Sequence, residues 1–186
     1  LPISDKYIFI YLNKLYLSLI IKISLNFLFD IIRKNNFRNI MLNDQSFINI
    51  AKEIAKASKC VSKQVGAVIV KDGRILSTGY NGTPAGYKNC SEHWNGEYTK
   101  EHHEWSKTYE IHAEMNAIIW AARKGISIEG GTIYVTLEPC SECSKNLIAS
   151  GITRIVYEKA YEHTNSEIIS KFIKDNNVQI EQIQNS

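Results

Sequence analysis

Residues 131–143 have the sequence GTIYVTLEPCSEC, and this stretch decides the fold. Its first seven residues, up to Leu137, are rich in apolar and β-branched side chains, which predicts a buried strand. Pro139 then introduces a short helix that is predicted to begin near Cys140 and to end before Gly151. A buried strand followed directly by a helix is a unit from which α/β domains are built.

Hydrophobic periodicity predicts further elements on both sides of this stretch. They are a helix capped by Asn43 or Asp44, a hairpin of residues 64–70 and 74–80 that turns at Gly73, a helix over 112–124, a strand over 152–157, a helix over 165–177 and a last strand over 178–183. The polar, histidine-rich residues 91–109 are predicted to form a loop. This order of elements predicts one α/β domain in which helices cover a mixed sheet.

The composition favours a globular domain with a metal or catalytic site. The chain has 186 residues, enough for one domain with a sizeable core. Its formal net charge is only +3, and lysine and arginine are scattered along it, which argues against a nucleic-acid partner. Four cysteines in a chain without the other features of a small secreted scaffold indicate metal binding or catalysis rather than disulfides.

The N-terminal part of the sequence differs from the rest. Residues 7–32 are strongly apolar, but asparagine and lysine residues interrupt them, so they lack the unbroken apolar span of a membrane helix. We therefore divide the chain into an apolar extension, residues 1–40, and a catalytic domain, residues 41–186. The extension is expected to be an extra helix or translated sequence upstream of a start at Met41, with membrane association as the alternative.

His112, Cys140 and Cys143 supply one imidazole and two thiolates, which are ligands that zinc accepts. Three protein ligands leave a fourth position for water, whose pKa zinc lowers from about 16 towards about 7. Both ligand segments fall at predicted helix starts, where the helix dipole favours thiolates. Glu114 would be surplus as a ligand, so we assign it the role of general acid and base.

Each half of this pattern is weak by itself. A lone C-x-x-C is more often a redox or structural zinc motif, and a lone histidine is more often a core residue. The two halves together, H-x-E followed by P-C-x-x-C, form the signature of zinc-dependent nucleobase deaminases. In such an enzyme Glu114 would carry a proton from water to the ring nitrogen and to the leaving ammonia.

Longer stretches resemble the deoxycytidylate (dCMP) deaminases of phage and bacterial type, within the zinc-dependent cytidine and deoxycytidylate deaminase superfamily. They are VGAVIVKDGRILSTGYNGTPAG, EIHAEMNAIIWAARKG and GTIYVTLEPCSECSKNLIASGITRIVY, and the likeness extends over residues 44–161. The resemblance implies a three-layer α-β-α fold of the cytidine-deaminase type with a mixed sheet of about five strands. It also implies zinc-dependent hydrolysis of dCMP to dUMP and ammonia, which supplies dUMP for thymidylate synthesis.

The resemblance assigns four substrate contacts. Asn81 of GYNG matches an asparagine that meets the sugar, and the backbone of Ala113 matches one that meets the pyrimidine. Arg123 falls at an arginine near the substrate phosphate, and Tyr161 falls at an aromatic residue near the nucleotide. Arg123 is eleven residues after His112 on the same helix face, and a guanidinium suits phosphate. The alternatives are a solvated cation for Arg123 and an ordinary Asn-Gly turn for Asn81.

Four further residues match a second, structural zinc site of phage-type members: Cys60, Cys90, His102 and Glu110. A closed tetrahedral zinc would anchor the polar loop, which is costly to order without one. The neighbouring His103 leaves the histidine ligand open by one residue, and spacing back from Trp105 favours His102. The alternative is a pair of buried thiols with surface histidines.

The resemblance further implies a cytoplasmic homo-oligomer, commonly a hexamer, that dCTP activates and dTTP inhibits with magnesium. The expected partners are dCMP and these effectors, with neither nucleic acid nor membrane. Nucleoside, free-base, riboflavin-pathway and tRNA deaminases are alternatives, as is a non-catalytic zinc module that binds nucleotides. A tRNA enzyme would need a basic or aromatic surface, and a structural module has no use for Glu114.

Overall fold

The computed structural model describes residues 42–94, 99–161 and 166–183. The predicted apolar extension, residues 1–40, lies outside the described residues, and so does the expected start at Met41. Over the described ranges, no helix combines the length and the apolar character that crossing a membrane requires.

The described residues form six helices and five strands. In chain order these are α1 (Asp44–Ala55), β1 (Gly66–Lys71), β2 (Arg74–Tyr80), α2 (Cys90–His93), α3 (Lys100–Tyr109), α4 (Ala113–Arg123), β3 (Thr132–Leu137), α5 (Ser141–Ala149), β4 (Arg154–Lys159), α6 (Ser166–Asp175) and β5 (Gln179–Gln182). Every element predicted from periodicity is confirmed; the first helix ends at Ala55 and not at Cys60, and the other bounds differ by about two residues at most.

The five strands form one sheet in the order β2-β1-β3-β4-β5. Strand β1 pairs antiparallel with both β2 and β3, whereas the β3–β4 and β4–β5 pairs are parallel. Helices α5 and α6 make the crossovers that the two parallel pairs require. The predicted α/β fold class with a mixed five-stranded sheet is therefore confirmed.

Side chains alternate between the two faces of the sheet, and each face packs against different helices. On β1, Ala67 and Ile69 join a core cluster with α4, α5 and α6, whereas Val68 and Val70 join a cluster with α1. A strand that is apolar on both sides is buried on both sides. The sheet is thus the middle of three layers, as the resemblance implied.

The prediction of a loop over residues 91–109 is wrong, because α2 and α3 lie there. The carboxylate of Glu92 accepts a hydrogen bond from the Asn89 backbone N–H (2.8 Å) at the start of α2. The hydroxyl of Thr99 accepts one from the His102 N–H (3.1 Å) at the start of α3. The composition was misleading because side-chain capping, rather than apolar periodicity, marks both helix starts.

Two glycines allow helices to lie directly against the hairpin. A Cβ atom at Gly66 would overlap the carbonyl oxygen of Ala51 in α1. A Cβ atom at Gly79 would overlap the carbonyl oxygen of Ala113, where α4 crosses β2. Side-chain atoms do not fit at such separations in a close-packed interior. Gly79 therefore sets how closely the first turn of α4, which carries the H-x-E motif, approaches the sheet.

Candidate active site

The first cluster of possible metal ligands comprises His112, Cys140 and Cys143. The Nδ1 atom of His112 lies 3.3 Å from the Sγ atom of Cys143 and 3.5 Å from that of Cys140. Donors bound to one tetrahedral zinc, each about 2.0–2.3 Å from the ion, lie about 3.5 Å apart. The first cluster therefore fits zinc in both the type and the spacing of its donors.

Two helix starts bring the first cluster together. His112 is the N-cap residue of α4 and Cys140 is the N-cap residue of α5, so two candidate metal ligands occupy positions that capping side chains usually take. The free N–H groups and the dipole of a first helical turn favour thiolates there. Paired hydrogen bonds between Gly82 and Ile111, of 2.8 and 3.1 Å, hold the residue that precedes His112.

Hydrogen bonds within the first cluster shift the pKa values of its two thiols in opposite directions. Hydrogen bonds from Cys143 and, more weakly, from His112 lower the pKa of Cys140 to about 3. The pKa of Cys143 is raised, because its proton is shared with the Cys140 thiolate and because it is buried. The hydrogen bond to Cys140 also raises the pKa of His112. Cys140 is thus ready to bind a cation, and a metal ion would displace the proton from Cys143.

Glu114 is buried beside the first cluster, with 4% of its surface exposed. Burial raises the pKa of its carboxyl, against the opposing effects of the His112 charge and of a hydrogen bond with Cys143. A carboxyl group with a raised pKa exchanges protons closer to neutral pH than a surface glutamate does. Its position therefore suits general acid–base chemistry at the first cluster.

Two of the predicted substrate contacts are buried: Ala113 follows His112 in sequence, and Asn81 precedes Gly82, which pairs with Ile111. Ala113 is fully buried and is the first residue of α4. The carboxamide of Asn81 binds backbone: its Nδ2 donates to the carbonyl oxygen of Lys63 and its Oδ1 accepts from the N–H of Val65, both at 2.8 Å. Asn81 therefore ties the segment before β1 to the loop that leads towards the first cluster.

The other two predicted contacts, Tyr161 and Arg123, differ in their distance from the first cluster. The N–H of Tyr161 donates to Oε2 of Glu138 (3.1 Å), which is two residues before Cys140. Arg123 is exposed in the last turn of α4, eleven residues after His112. Eleven residues of α-helix span about 16 Å. The structure thus links Tyr161 to the first cluster and separates Arg123 from it.

A second cluster comprises Cys60, Cys90 and His102, all of them buried. The Sγ atom of Cys90 lies 3.1 Å from Nε2 of His102. Glu110 lies close enough for its charge to add to the raised pKa of Cys60, and its Oε2 accepts from the hydroxyl of Ser106 at 2.5 Å. Its Oε1 is buried and has no hydrogen-bond partner within the described residues. The cluster thus offers three donors of types that zinc binds, but the predicted fourth ligand, Glu110, does not lie within it.

The second cluster contains His102 and not its neighbour His103. His102 is 1% exposed, whereas His103 is only half-buried on α3. Burial raises the pKa of Cys60, and it raises the pKa of Cys90 to about 11. Both thiols therefore hold their protons at neutral pH, and a metal ion bound there would have to displace them.

Sequence reasoning missed two residues that the structure joins to the site, Lys63 and Glu138. The Nζ atom of Lys63 lies 4.0 Å from the centroid of the Tyr161 ring. The carboxylate of Glu138 holds the backbone of Tyr161. Glu138 had a usable signal, since it is a charged residue between a buried strand and the Pro-Cys pair. Lys63 had none, because its contact joins segments that are distant in sequence.

A comparison with protein-family sequence models finds a match, over residues 41–159, to the cytidine and deoxycytidylate deaminase zinc-binding region. The chain belongs to this deaminase family. Deoxycytidylate deaminase of Enterobacteria phage T2 is 43% identical over 148 aligned residues, which cover 62% of this chain and 79% of that protein. Deoxycytidylate deaminase of Mycobacterium phage D29 is 42% identical over 125 residues, which cover 62% of this chain and 94% of that protein.

A solved structure of the same family is also similar in fold. The dCMP deaminase of cyanophage S-TIM5, determined in complex with dCMP and dUMP, matches with a TM-score of 0.63 and 30% identity. The match covers 75% of this chain and 95% of that one. Membership of the deaminase family, which the sequence motifs predicted, is therefore confirmed, and with it a domain of the zinc-binding type.

Proposed function

We infer that the protein is a hydrolase of pyrimidine nucleotide metabolism that converts dCMP to dUMP and ammonia, which supplies dUMP for thymidylate synthesis. The observation that carries this inference is the buried carboxyl of Glu114 beside the first cluster, in a chain of the deaminase family. A structural zinc site gains nothing from such a carboxyl, and burying it costs free energy. The phage T2 and S-TIM5 relatives support dCMP over other deaminase substrates.

The proposed ligands of a catalytic zinc, one per chain, are His112, Cys140 and Cys143. A zinc ion held there would supply a Lewis acid that makes hydroxide available from water near neutral pH. The three side chains would hold the ion and leave a further position open for the reacting water. Their place at the starts of α4 and α5 supports this role, because helix N-termini stabilise the thiolate forms.

Glu114 is the proposed proton carrier. Its carboxylate takes a proton from the water that attacks C4 of the cytosine and delivers the proton to N3, while the C4–O bond forms. It then moves a second proton from the added oxygen to the amino nitrogen, and the C4–N4 bond breaks to release ammonia. The raised pKa of Glu114 supports this role, because the same carboxyl must accept and return a proton in each turnover.

The proposed substrate contacts are the backbone of Ala113 with the pyrimidine and the side chain of Asn81 with the sugar. Asn81 uses one Nδ2 hydrogen and one Oδ1 lone pair on backbone groups, so one of each is left for a ligand. Tyr161 is proposed to lie beside the nucleotide. Arg123 is proposed to lie near a phosphate, and its distance from the first cluster favours the site of a neighbouring copy.

A second, structural zinc is proposed at Cys60, Cys90, His102 and Glu110. The burial of all three residues of the second cluster supports a closed site, and so does the oxygen of Glu110 without a hydrogen-bond partner among the described residues. A zinc ion there would join the segment before β1 to α2 and α3, which connect the hairpin to α4. Its expected contribution is to stability and not to chemistry.

The proposed assembly is a cytoplasmic homo-oligomer, with a hexamer as the expected size, regulated by dCTP and dTTP with magnesium. The sequence resemblance supports these proposals. Ile119 and Trp120 on α4 are 38% and 48% exposed, which suits contact between copies. The low net charge of +3 supports small nucleotides rather than nucleic acid as partners.

The test is the initial rate of deamination of dCMP and of deoxycytidine, followed by ultraviolet absorbance with and without dCTP. We expect fast loss of dCMP and slow loss of deoxycytidine. A rate that appears only with dCTP would add support for an effector site. Zinc-containing protein that deaminates neither compound would contradict the proposed substrate, and bases, riboflavin precursors and tRNA would be assayed next.

A further inference from the structure

The ammonium group of Lys63 lies over the ring of Tyr161, with 4.0 Å from Nζ to the ring centroid. An exposed cation–π contact is weak, and it commits none of the N–H donors of the ammonium to an oxygen acceptor. The contact therefore holds the charge of Lys63 in one place and leaves its donors available to an anion.

Lys63 is tied to the segment that carries His112. Its carbonyl oxygen accepts from Nδ2 of Asn81 at 2.8 Å. The next residue, Gly82, pairs through backbone hydrogen bonds with Ile111, which directly precedes His112. One unbroken set of short contacts thus runs from Lys63 to a proposed zinc ligand.

Tyr161 is tied to the segment that carries Cys140. Its N–H donates to Oε2 of Glu138 at 3.1 Å, and the N–H of Glu138 donates to the carbonyl oxygen of Lys159 at 2.9 Å. The carboxyl end of β3 and the segment after β4 are therefore held together, two residues before Cys140. Lys63 and Tyr161 therefore meet from the two segments that lead to His112 and to Cys140.

The charge of Lys63 is available for a ligand. Within the described ranges it forms no salt bridge, and Oε2 of Glu138 accepts a hydrogen bond from the Tyr161 N–H rather than from Lys63. A phosphate monoester carries about −1.5 to −2 charges near neutral pH. An exposed, tethered ammonium beside the site complements that charge.

We propose that Lys63 binds the 5′-phosphate of the substrate, with the ring of Tyr161 holding the ammonium at the edge of the site. The inference rests on the proposed function, and it makes Lys63 the residue by which the enzyme prefers a nucleotide to a nucleoside. Arg123, which lies about 16 Å along α4 from His112 of its own chain, is the rival for this role through the site of a neighbouring copy.

The experiment compares kcat/KM for dCMP and for deoxycytidine in the wild type, Lys63→Gln and Lys63→Arg. Loss of the charged contact should lower kcat/KM for dCMP about tenfold, mainly through KM, and should change the value for deoxycytidine less than about twofold. Lys63→Arg should keep most of the preference, because a guanidinium also binds phosphate. Lys124→Gln is the matched control, since Lys124 Nζ lies 4.9 Å over the Trp120 ring at the other end of α4.

Product inhibition gives a second measurement. The inhibition constant of dUMP should rise about tenfold in Lys63→Gln, and that of deoxyuridine should not change. Equal losses for dCMP and deoxycytidine would make Lys63 a structural residue and overturn the proposal. A selective loss in Arg123→Gln but not in Lys63→Gln would also overturn it. Failure of the wild type to deaminate dCMP would contradict the proposed function itself, and this inference with it.

Discussion

The two Cys/His clusters use similar donors but differ in burial and in their place on the helices. In the first cluster, His112 and Cys140 are the N-cap residues of α4 and α5, and both are at least partly exposed. In the second cluster, Cys60, Cys90 and His102 are all buried. Exposure at helix starts leaves room for a substrate, whereas burial on every side leaves room only for the ion.

The carboxylate beside each cluster follows the same division. Glu114 is buried beside a cluster that already holds three donors, so its carboxyl is left for proton transfer. Glu110 places a buried oxygen, without a hydrogen-bond partner in the described part of the chain, beside the second cluster. One glutamate is thus suited to proton transfer, and the other is the proposed fourth ligand of a structural zinc site. The fourth position, rather than the three shared donor positions, distinguishes a catalytic zinc site from a structural one.

The substitution Glu114→Gln should have the largest effect, because it removes the proposed proton carrier and keeps the side-chain volume. We expect kcat to fall by at least about 10³-fold with unchanged zinc content. Steady-state rates on dCMP and elemental analysis measure the two quantities. Glu142→Gln is the control, since Glu142 lies between Cys140 and Cys143 on α5 but is exposed and paired with Lys145. A Glu114→Gln enzyme with wild-type turnover would remove the catalytic assignment.

Removing one ligand from each cluster should separate their roles. Cys90→Ala should lower the zinc content from two ions per chain to one. It should also lower the free energy of unfolding by about 3 kcal/mol or more, because the free energy of metal binding at a closed site adds to the stability of the fold. Cys140→Ala should also remove one zinc ion, but it should abolish turnover with a smaller loss of stability. Elemental analysis and denaturant unfolding give both values. A single zinc ion in the wild type would eliminate the second site.

The sequence predicted the first cluster more fully than the second because its chemistry is local. H-x-E and P-C-x-x-C each place their residues within one helix start, so their types and spacing carry the information. Cys60 and Cys90 lie on separate segments, and only the family resemblance paired them. The choice of His102 over His103 depends on the orientation of α3, a helix that polar composition concealed. The contact of Lys63 with Tyr161 depends on two distant loops, and no local pattern encodes it.

The substitution Gly79→Ala should displace the start of α4, which carries His112 of the first cluster. The added Cβ would overlap the carbonyl oxygen of Ala113, so the start of α4 must shift. We expect a loss of about 1–3 kcal/mol in the free energy of unfolding, together with a lower kcat and retention of the second zinc ion. Gly66→Ala is the matched variant, because it creates the same overlap against α1 on the opposite face. Equal losses of kcat in both variants would show a global effect in place of a local one.

The smallest effect is expected for Thr99→Ala, which tests whether α3 positions His102 for the second cluster. The hydroxyl of Thr99 accepts from the His102 N–H at 3.1 Å, and loss of such a cap costs about 1 kcal/mol. Thr108→Ala is the control, because the Thr108 hydroxyl only donates back to Glu104 within the exposed part of α3. Chelator-induced release of the second zinc ion should be faster in Thr99→Ala alone. Equal release rates in both variants would mean that His102 is held by the buried cluster itself and not by the start of α3.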